Sequence, residues 1–468
     1  MRSLFLIFVV GVFLSVAFRF PYIGGLGYVW IEYVAPQKLG WGFIQSLPIS
    51  LMAGALTFFA YLIADRKDPP KPNLLFWLLC IWVLYFTMST MFWAELPADA
   101  WLKWDKAIKA IGFCIFLTFL VRTRIQIEAF ILVLVLSVAV WTASAGAKAL
   151  LGGLSYGSNA LAIGGRGSDL YESSNLAMVA VLVIPLCLWL RRFSVLTLWK
   201  GRISDLFFFG LIAASILTTV GSYARTGLVA LAVLGFSMIM MSRYRFRVLT
   251  VVIITAVIGF QFAPQTYKER MLTITNYEED KSASGRVIIW LWAMQYAKDH
   301  PLGGGFWVFK TNNIRTQALS KVDRENGELD VSQFQRGDKK TYRSAHSIYF
   351  EVLGEQGFPG LLIYISIIFT ALASLWRLYR RNRNHETLYW LSELARNMMF
   401  AVLVYAAGGA FINIAYQSFF YLLVMLTISL NNVERREREK SLGSENVKPK
   451  FTPYPAFGAG GSQPAPAE

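Results

Sequence analysis

Three residues of the 468-residue chain combine type and setting in a way that points to chemistry: His346, Arg225 and Arg286. His346 is one of only three histidines and lies in "YRSAHSIYFEVLGEQGFPG". Ser344 is placed to cap a helix whose first turn contains His346. The positive end of that helix disfavours imidazolium and keeps the ring neutral, as a general base requires. A packing or hydrogen-bonding histidine fits the same residues and stays open at this point. Glu351 and Glu355 follow one and two turns on, where they either orient the ring or solvate a helix entering a membrane.

Arg225, in "VGSYARTGLVAL", occupies the shortest connection between two apolar stretches. Arginine at such a membrane mouth is costly and usually meets an anion, although snorkelling to lipid phosphate is the alternative. Arg286 follows Gly285 at the start of "SGRVIIWLWAMQYAKDHP", where free backbone amides add to its charge in binding an anion. A structural role for Arg286 is equally open. The run Glu278-Glu279-Asp280 does not converge on an ion without other ligands, and Lys281 follows at once, so no metal is expected. Gly303-Gly304-Gly305 reads as a turn, since no lysine or serine completes a phosphate loop, and no cofactor is expected. Cys80, Cys114 and Cys187 all lie in apolar stretches and read as packing residues.

These residues must be held by a membrane protein. The chain is 55% hydrophobic and only 16% charged, well below the roughly 25% charged residues of soluble domains. Apolar stretches suggest about twelve spans: Ser3–Phe18, Trp41–Ala64, Leu74–Trp93, Ala107–Val121, Ile127–Ala145, Asn175–Leu190, Asp205–Val220, Thr226–Met241, Val248–Phe262, Phe358–Trp376, Asn397–Ile412 and Ser418–Leu430. The net charge of +16 falls in clusters at every second connection, such as Arg122-Arg124, Arg191-Arg192 and Arg380-Arg381. That alternation is the positive-inside pattern, which argues against nucleic acid as a partner and puts both termini in the cytoplasm. Ser15-Val16-Ala17 resembles a cleavage site, but the first stretch reads as an uncleaved helix.

The expected architecture is all-α and polytopic. Residues 1–262 form an amino-terminal bundle of about nine spans and 263–345 a large periplasmic loop with amphipathic helices. Residues 346–430 form the last helices, and 431–468 a cytoplasmic tail, disordered from about Glu439 onward. In the loop, Val287, Trp290, Ala293, Met294 and Ala297 fall on one helical face, suited to the membrane interface. A neutral base and two arginines on the outer face suit transfer of a group from a lipid diphosphate to a hydroxyl. A transporter predicts ionisable groups at mid-membrane instead.

The sequence resembles the O-antigen ligase and polymerase superfamily of envelope glycosyltransferases, and most of all the O-glycosylation ligases of exosortase A systems. The resemblance rests on "FPYIGGLGYVWIEYVAPQKLGWGF", "WLKWDKAIKAIG", "GSYARTGLVAL", "NYEEDKSASGRVIIW", "HPLGGGF" and "AHSIYFEVLGEQGFPG". It implies a GT-C-like, metal-independent, inverting transferase of the bacterial inner membrane, using an undecaprenyl-diphosphate-linked glycan. It also implies diphosphate-binding roles for Arg225 and Arg286 and an essential loop histidine at His346. Where similar proteins read Glu-Asp-Asn, this chain has Glu172-Ser173-Ser174-Asn175, so Glu172 and Asn175 are candidate supporting residues. The acceptor, whether protein, lipid or glycan, stays open, as does a polymerase acting on lipid-linked repeats.

Overall fold

A computed structural model describes residues 2–39, 47–65, 68–151, 172–197, 201–242, 281–312 and 342–446, with parts of 244–261. The ninth expected span, the acidic run and the last residues of the tail lie largely outside the described residues. The protein is helical throughout, with no strand among those residues. Its longer helices are α1 (Arg2–Arg19), α2 (Pro21–Val34), α4 (Ile49–Ala64), α5 (Leu74–Phe92), α6 (Pro97–Leu120), α7 (Arg124–Leu151) and α8 (Ser173–Phe193), with α3 the single turn Pro36–Leu39. Then come α9 (Arg202–Gly221), α10 (Arg225–Met241), α11 (Lys281–Asp299), α12 (Ile348–Asn382), α13 (Tyr389–Gly408) and α14 (Ser418–Asn446).

Six of these, α5, α7, α8, α9, α12 and α13, are long and apolar enough to cross a membrane, and α4 and α10 are shorter apolar helices. The expectation of about twelve spans is thus met in part. The chain is a multi-pass membrane protein. Its core differs from a soluble one in being lined on the outside by exposed phenylalanine and leucine, as lipid contact demands. Helix α8 is the buried centre, with Leu176 through Leu190 almost wholly enclosed by α7, α9, α10 and α13.

The structure corrects the reading of residues 19–40 as a connection. Phe20-Pro21 turns the chain, and α2 runs back antiparallel to α1: Phe13 stacks on Trp30 at 5.9 Å, and a Cβ on Gly24 would lie 2.9 Å from Ala17. Glycines at 24 and 27 allow this approach, and with Gly25 and the length of 14 residues they hid the helix from a hydropathy reading. Gly25 packs near Leu117, Leu120 and Phe130, beside the basic α6–α7 connection. Arg19 therefore lies at the basic end and α1 begins at the other end, opposite to the expected orientation. The tail is also corrected, since α14 stays helical to Asn446. Ion pairs one turn apart, Arg438–Glu434 at 2.7 Å and Lys440–Glu437 at 2.8 Å, support its charged extension, and Arg438 also reaches Asn382 at 2.7 Å.

At the end opposite the basic connections, two glycine motifs lock together. Pro359 has no N–H for the Glu355 carbonyl, and Phe358 precedes proline, so α12 kinks at Gly357, whose φ is 64°. The freed carbonyls take new donors: Gly304 N–H to Gly354 at 3.1 Å and Gly305 N–H to Glu355 at 2.8 Å. Phe358 N–H in turn donates to Pro301 at 3.0 Å. A Cβ on Gly303 would lie 2.5 Å from the Gly357 nitrogen, so the run expected to be a plain turn is a backbone-to-backbone splice.

Candidate functional site

That splice fixes α12, and α12 presents His346. The helix starts one turn later than expected: Ser347 is the N-cap, and its side chain makes no cap bond. His346 stands just before it with φ 46°, a left-handed conformation that costs a non-glycine residue about 1–2 kcal/mol. Ser344 therefore does not cap the helix. Its Oγ instead lies 3.3 Å from His346 Nε2.

The strained turn is held from three sides. Trp290 Nε1 of α11 donates to the Ala345 carbonyl at 2.8 Å and its indole stacks on Phe350 at 5.0 Å. Ser347 N–H donates to Asn413 Oδ1 at 3.2 Å, and Ala415 N–H to Glu351 Oε2 at 3.2 Å. The expected face of α11 is rotated in consequence. Ile289, Trp292, Ala293 and Ala297 are buried against α12, whereas Val287 and Trp290 are half-buried and Met294 faces out. Tertiary packing, with ring contacts from Trp292 to Phe309, decides the face that helical period alone left loose.

The six other expected residues gather at this end of the bundle. Thr219 Oγ1 donates to the Ala177 carbonyl at 3.3 Å, which sets the α9–α10 turn beside the first turn of α8. Arg225 thereby joins Glu172 and Asn175 at one end of the bundle. A Cβ on Gly408 would meet Met178 and Thr226, and one on Gly409 would meet Ile348, so the end of α13 ties α8 and α10 to the start of α12. Arg286 acts electrostatically on Glu172 and on His346. Burial pushes the Glu172 carboxyl above its usual range, and the Arg286 charge opposes this.

Burial first, and Arg286 second, push His346 below its ordinary pKa, with Arg343 assisting and Glu351 opposing. A neutral ring was expected, but burial and a guanidinium, rather than a helix dipole on a first-turn residue, account for it. Among the described residues no cluster of His, Cys, Asp or Glu is arranged to hold a metal ion.

Glu351 and Glu355 meet a partner that the sequence reading did not single out. Lys103 of α6 lies 2.7 Å from Glu351 and 2.8 Å from Glu355, with 15%, 8% and 2% of the three side chains exposed. Trp307 N–H supplies Glu355 with another donor at 3.0 Å, and the Tyr416 ring faces the ammonium at 4.7 Å. Two glutamates a helical turn apart in an otherwise apolar stretch require such a cation. That requirement is the signal the sequence carries, and the cation lies in "WLKWDKAIKAIG". A cleft of about 790 Å³ opens beside Lys103, reached by Tyr342, Ser344, Glu351, Glu355 and Asn413.

Residues 208–365 match the O-antigen ligase family. The matched O-antigen ligase region holds Arg225, Arg286 and His346 together, with Glu351 and Glu355. It supports the O-antigen ligase superfamily and a membrane enzyme of the ligase or polymerase type. Residues 1–195, with Lys103, Glu172 and Asn175, match a family of unknown function. No curated protein matches the chain.

Proposed function

We propose that the protein is a periplasm-facing glycosyltransferase of the bacterial inner membrane, moving a glycan from an undecaprenyl-diphosphate carrier to an acceptor hydroxyl. The observation that carries this reading is the setting of His346: a buried ring pushed toward neutrality beside Arg286, within the O-antigen ligase match. His346 takes the acceptor proton as the acceptor oxygen bonds to the anomeric carbon. The bond from that carbon to the diphosphate oxygen breaks, and the negative charge stays on the lipid diphosphate. Arg225 and Arg286 hold that diphosphate, since guanidinium groups bind phosphate with paired, charge-assisted hydrogen bonds. Attack from the face opposite the leaving group inverts the anomeric centre, and the step needs no metal. Glu172 and Asn175 support Arg286 and the donor side; Glu351 and Glu355 support the His346 turn.

A GT-C-like arrangement of the crossings, and a system associated with exosortase, belong to the same reading. A polymerase acting on lipid-linked repeats is the second reading. Mass analysis of envelope glycans in a strain lacking the gene tests it. Accumulated lipid-linked polymer is the expected result; accumulated single repeats would mean a polymerase, and an unchanged lipid-linked pool would refute both.

A further inference from the structure

The His346 ring does not open directly onto the cleft beside Lys103. Of residues 342–347, Tyr342 and Ser344 line that cleft and His346 does not. Ser344 Oγ lies 3.3 Å from His346 Nε2, so this hydroxyl stands between the ring and the open volume. Both neighbours of Ser344 are clamped. The Arg343 N–H donates to Asn312 Oδ1 at 3.0 Å, and the Arg343 carbonyl accepts from Asn312 Nδ2 at 2.7 Å. The Ala345 carbonyl accepts from the Trp290 indole at 2.8 Å.

A neutral imidazole has one nitrogen acceptor. With Ser344 donating to Nε2, that lone pair is taken, and a second hydroxyl reaches it only if serine leaves. The carboxylates lining the cleft are otherwise engaged or further away. Glu351 and Glu355 are both bonded to Lys103, and Glu32 of α2 bears on Cys114, three helical turns along α6 from Lys103. The direction of attack agrees. Arg225 and Arg286 do not line the cleft, and Arg343 Nη1 lies 3.2 Å from a Cβ placed on Gly285, toward Arg286. With the diphosphate at the arginines, an inverting attack brings the acceptor hydroxyl from the other side, where Ser344 stands.

Resting on the transferase reading above, we infer that Ser344 is a catalytic residue that relays the acceptor proton to His346. As the acceptor oxygen bonds to the anomeric carbon, its proton passes to Ser344 Oγ while the Ser344 proton passes to His346 Nε2. Serine is unchanged at the end of the step. The proton rests on the imidazole, and the departing diphosphate keeps the bonding pair.

The test is single-turnover transfer by the full-length protein in nanodiscs, from a labelled undecaprenyl-diphosphate glycan, with the envelope fraction of a strain lacking the gene as acceptor. Ser344→Ala should lower the rate about 10²-fold, with donor binding and thermal unfolding unchanged. Ser344→Thr, which returns a hydroxyl, should recover most of the loss. In mixtures of light and heavy water, the rate of the original protein should fall below a straight line against deuterium content, because two protons move in one step. That readout needs no variant, so it decides the matter even if Ser344→Ala folds poorly. Transfer by Ser344→Ala at close to the original rate would overturn the relay. A straight-line dependence in the original protein would also overturn it, leaving Ser344 to orient the ring. No transfer by the original protein would refute the transferase reading itself, and the relay with it.

Discussion

Two charged clusters flank the His346 turn, and they are built on opposite rules. On one side Lys103 is enclosed by Glu351 and Glu355, with backbone donors from Trp307 and Ala415 completing the carboxylates. On the other, Arg286 and Arg343 both bear on His346, setting like charge beside a group that is itself basic. A cluster whose opposite charges meet one another holds a shape. The other sets guanidinium groups beside a base, with the Glu172 carboxyl near Arg286, and in the proposed function it receives an anion from outside. The first is a brace; in the proposed function the second is the binding site, although they stand on either side of one turn.

The largest effect that separates them is expected at Lys103. Lys103→Met leaves two buried carboxylates without their cation and should destabilise the protein by about 3–5 kcal/mol. Thermal unfolding in detergent measures it; a protein as stable as the original would mean that the brace is not one. Arg286→Lys should do the reverse. Unfolding should be unchanged while transfer falls about 10²-fold, since an ammonium does not reproduce a paired guanidinium contact at a developing oxyanion. Equal activity in this variant would make Arg286 a lipid anchor.

Gly303→Ala comes next, at about 1–3 kcal/mol, because it forces a Cβ into the Gly357 backbone at a φ of 81°. Unaltered unfolding would show that the splice yields. The smallest effect is in pH dependence. His346 is basic only when neutral, and its pKa lies below the usual 6.5. Activity should therefore hold at neutral pH and fall as pH drops through that lowered value. Removing the Arg286 charge in Arg286→Gln relieves part of the depression, so the acid limb of its residual activity should move to higher pH. A limb that stays in place would disconnect the two residues.

Much of this arrangement was legible in the sequence because membrane helices announce themselves by length and charge alternation. Helix α8 and helix α9 fall close to the stretches read for them. Helix α2 escaped because its glycines and short length lower the signal that hydropathy measures, and missing it reversed the orientation of α1. His346, Arg225 and Arg286 stood out as rare or costly residues, and the structure brings them to one end. Their surroundings were harder to read. The Ser344 cap failed because a left-handed His346 delays the helix, which no local propensity foretells. Lys103 lay nearly 250 positions from its partners in sequence, as the separation of 248 to Glu351 records. The splice between Gly303-Gly304-Gly305 and the Gly357 kink likewise becomes visible only when Pro359 is seen to leave the Glu355 carbonyl without a donor.

The central claim is that His346 removes the acceptor proton. His346→Gln tests it most directly, since glutamine keeps hydrogen-bonding capacity but takes no proton near neutral pH. Single-turnover transfer from a labelled undecaprenyl-diphosphate glycan, with donor binding measured on the same preparation, is the assay. Transfer should fall by about 10²–10⁴-fold with donor affinity unchanged. Transfer at close to the original rate would contradict the base assignment and leave His346 to orient the acceptor; loss of donor binding would move it to the diphosphate site.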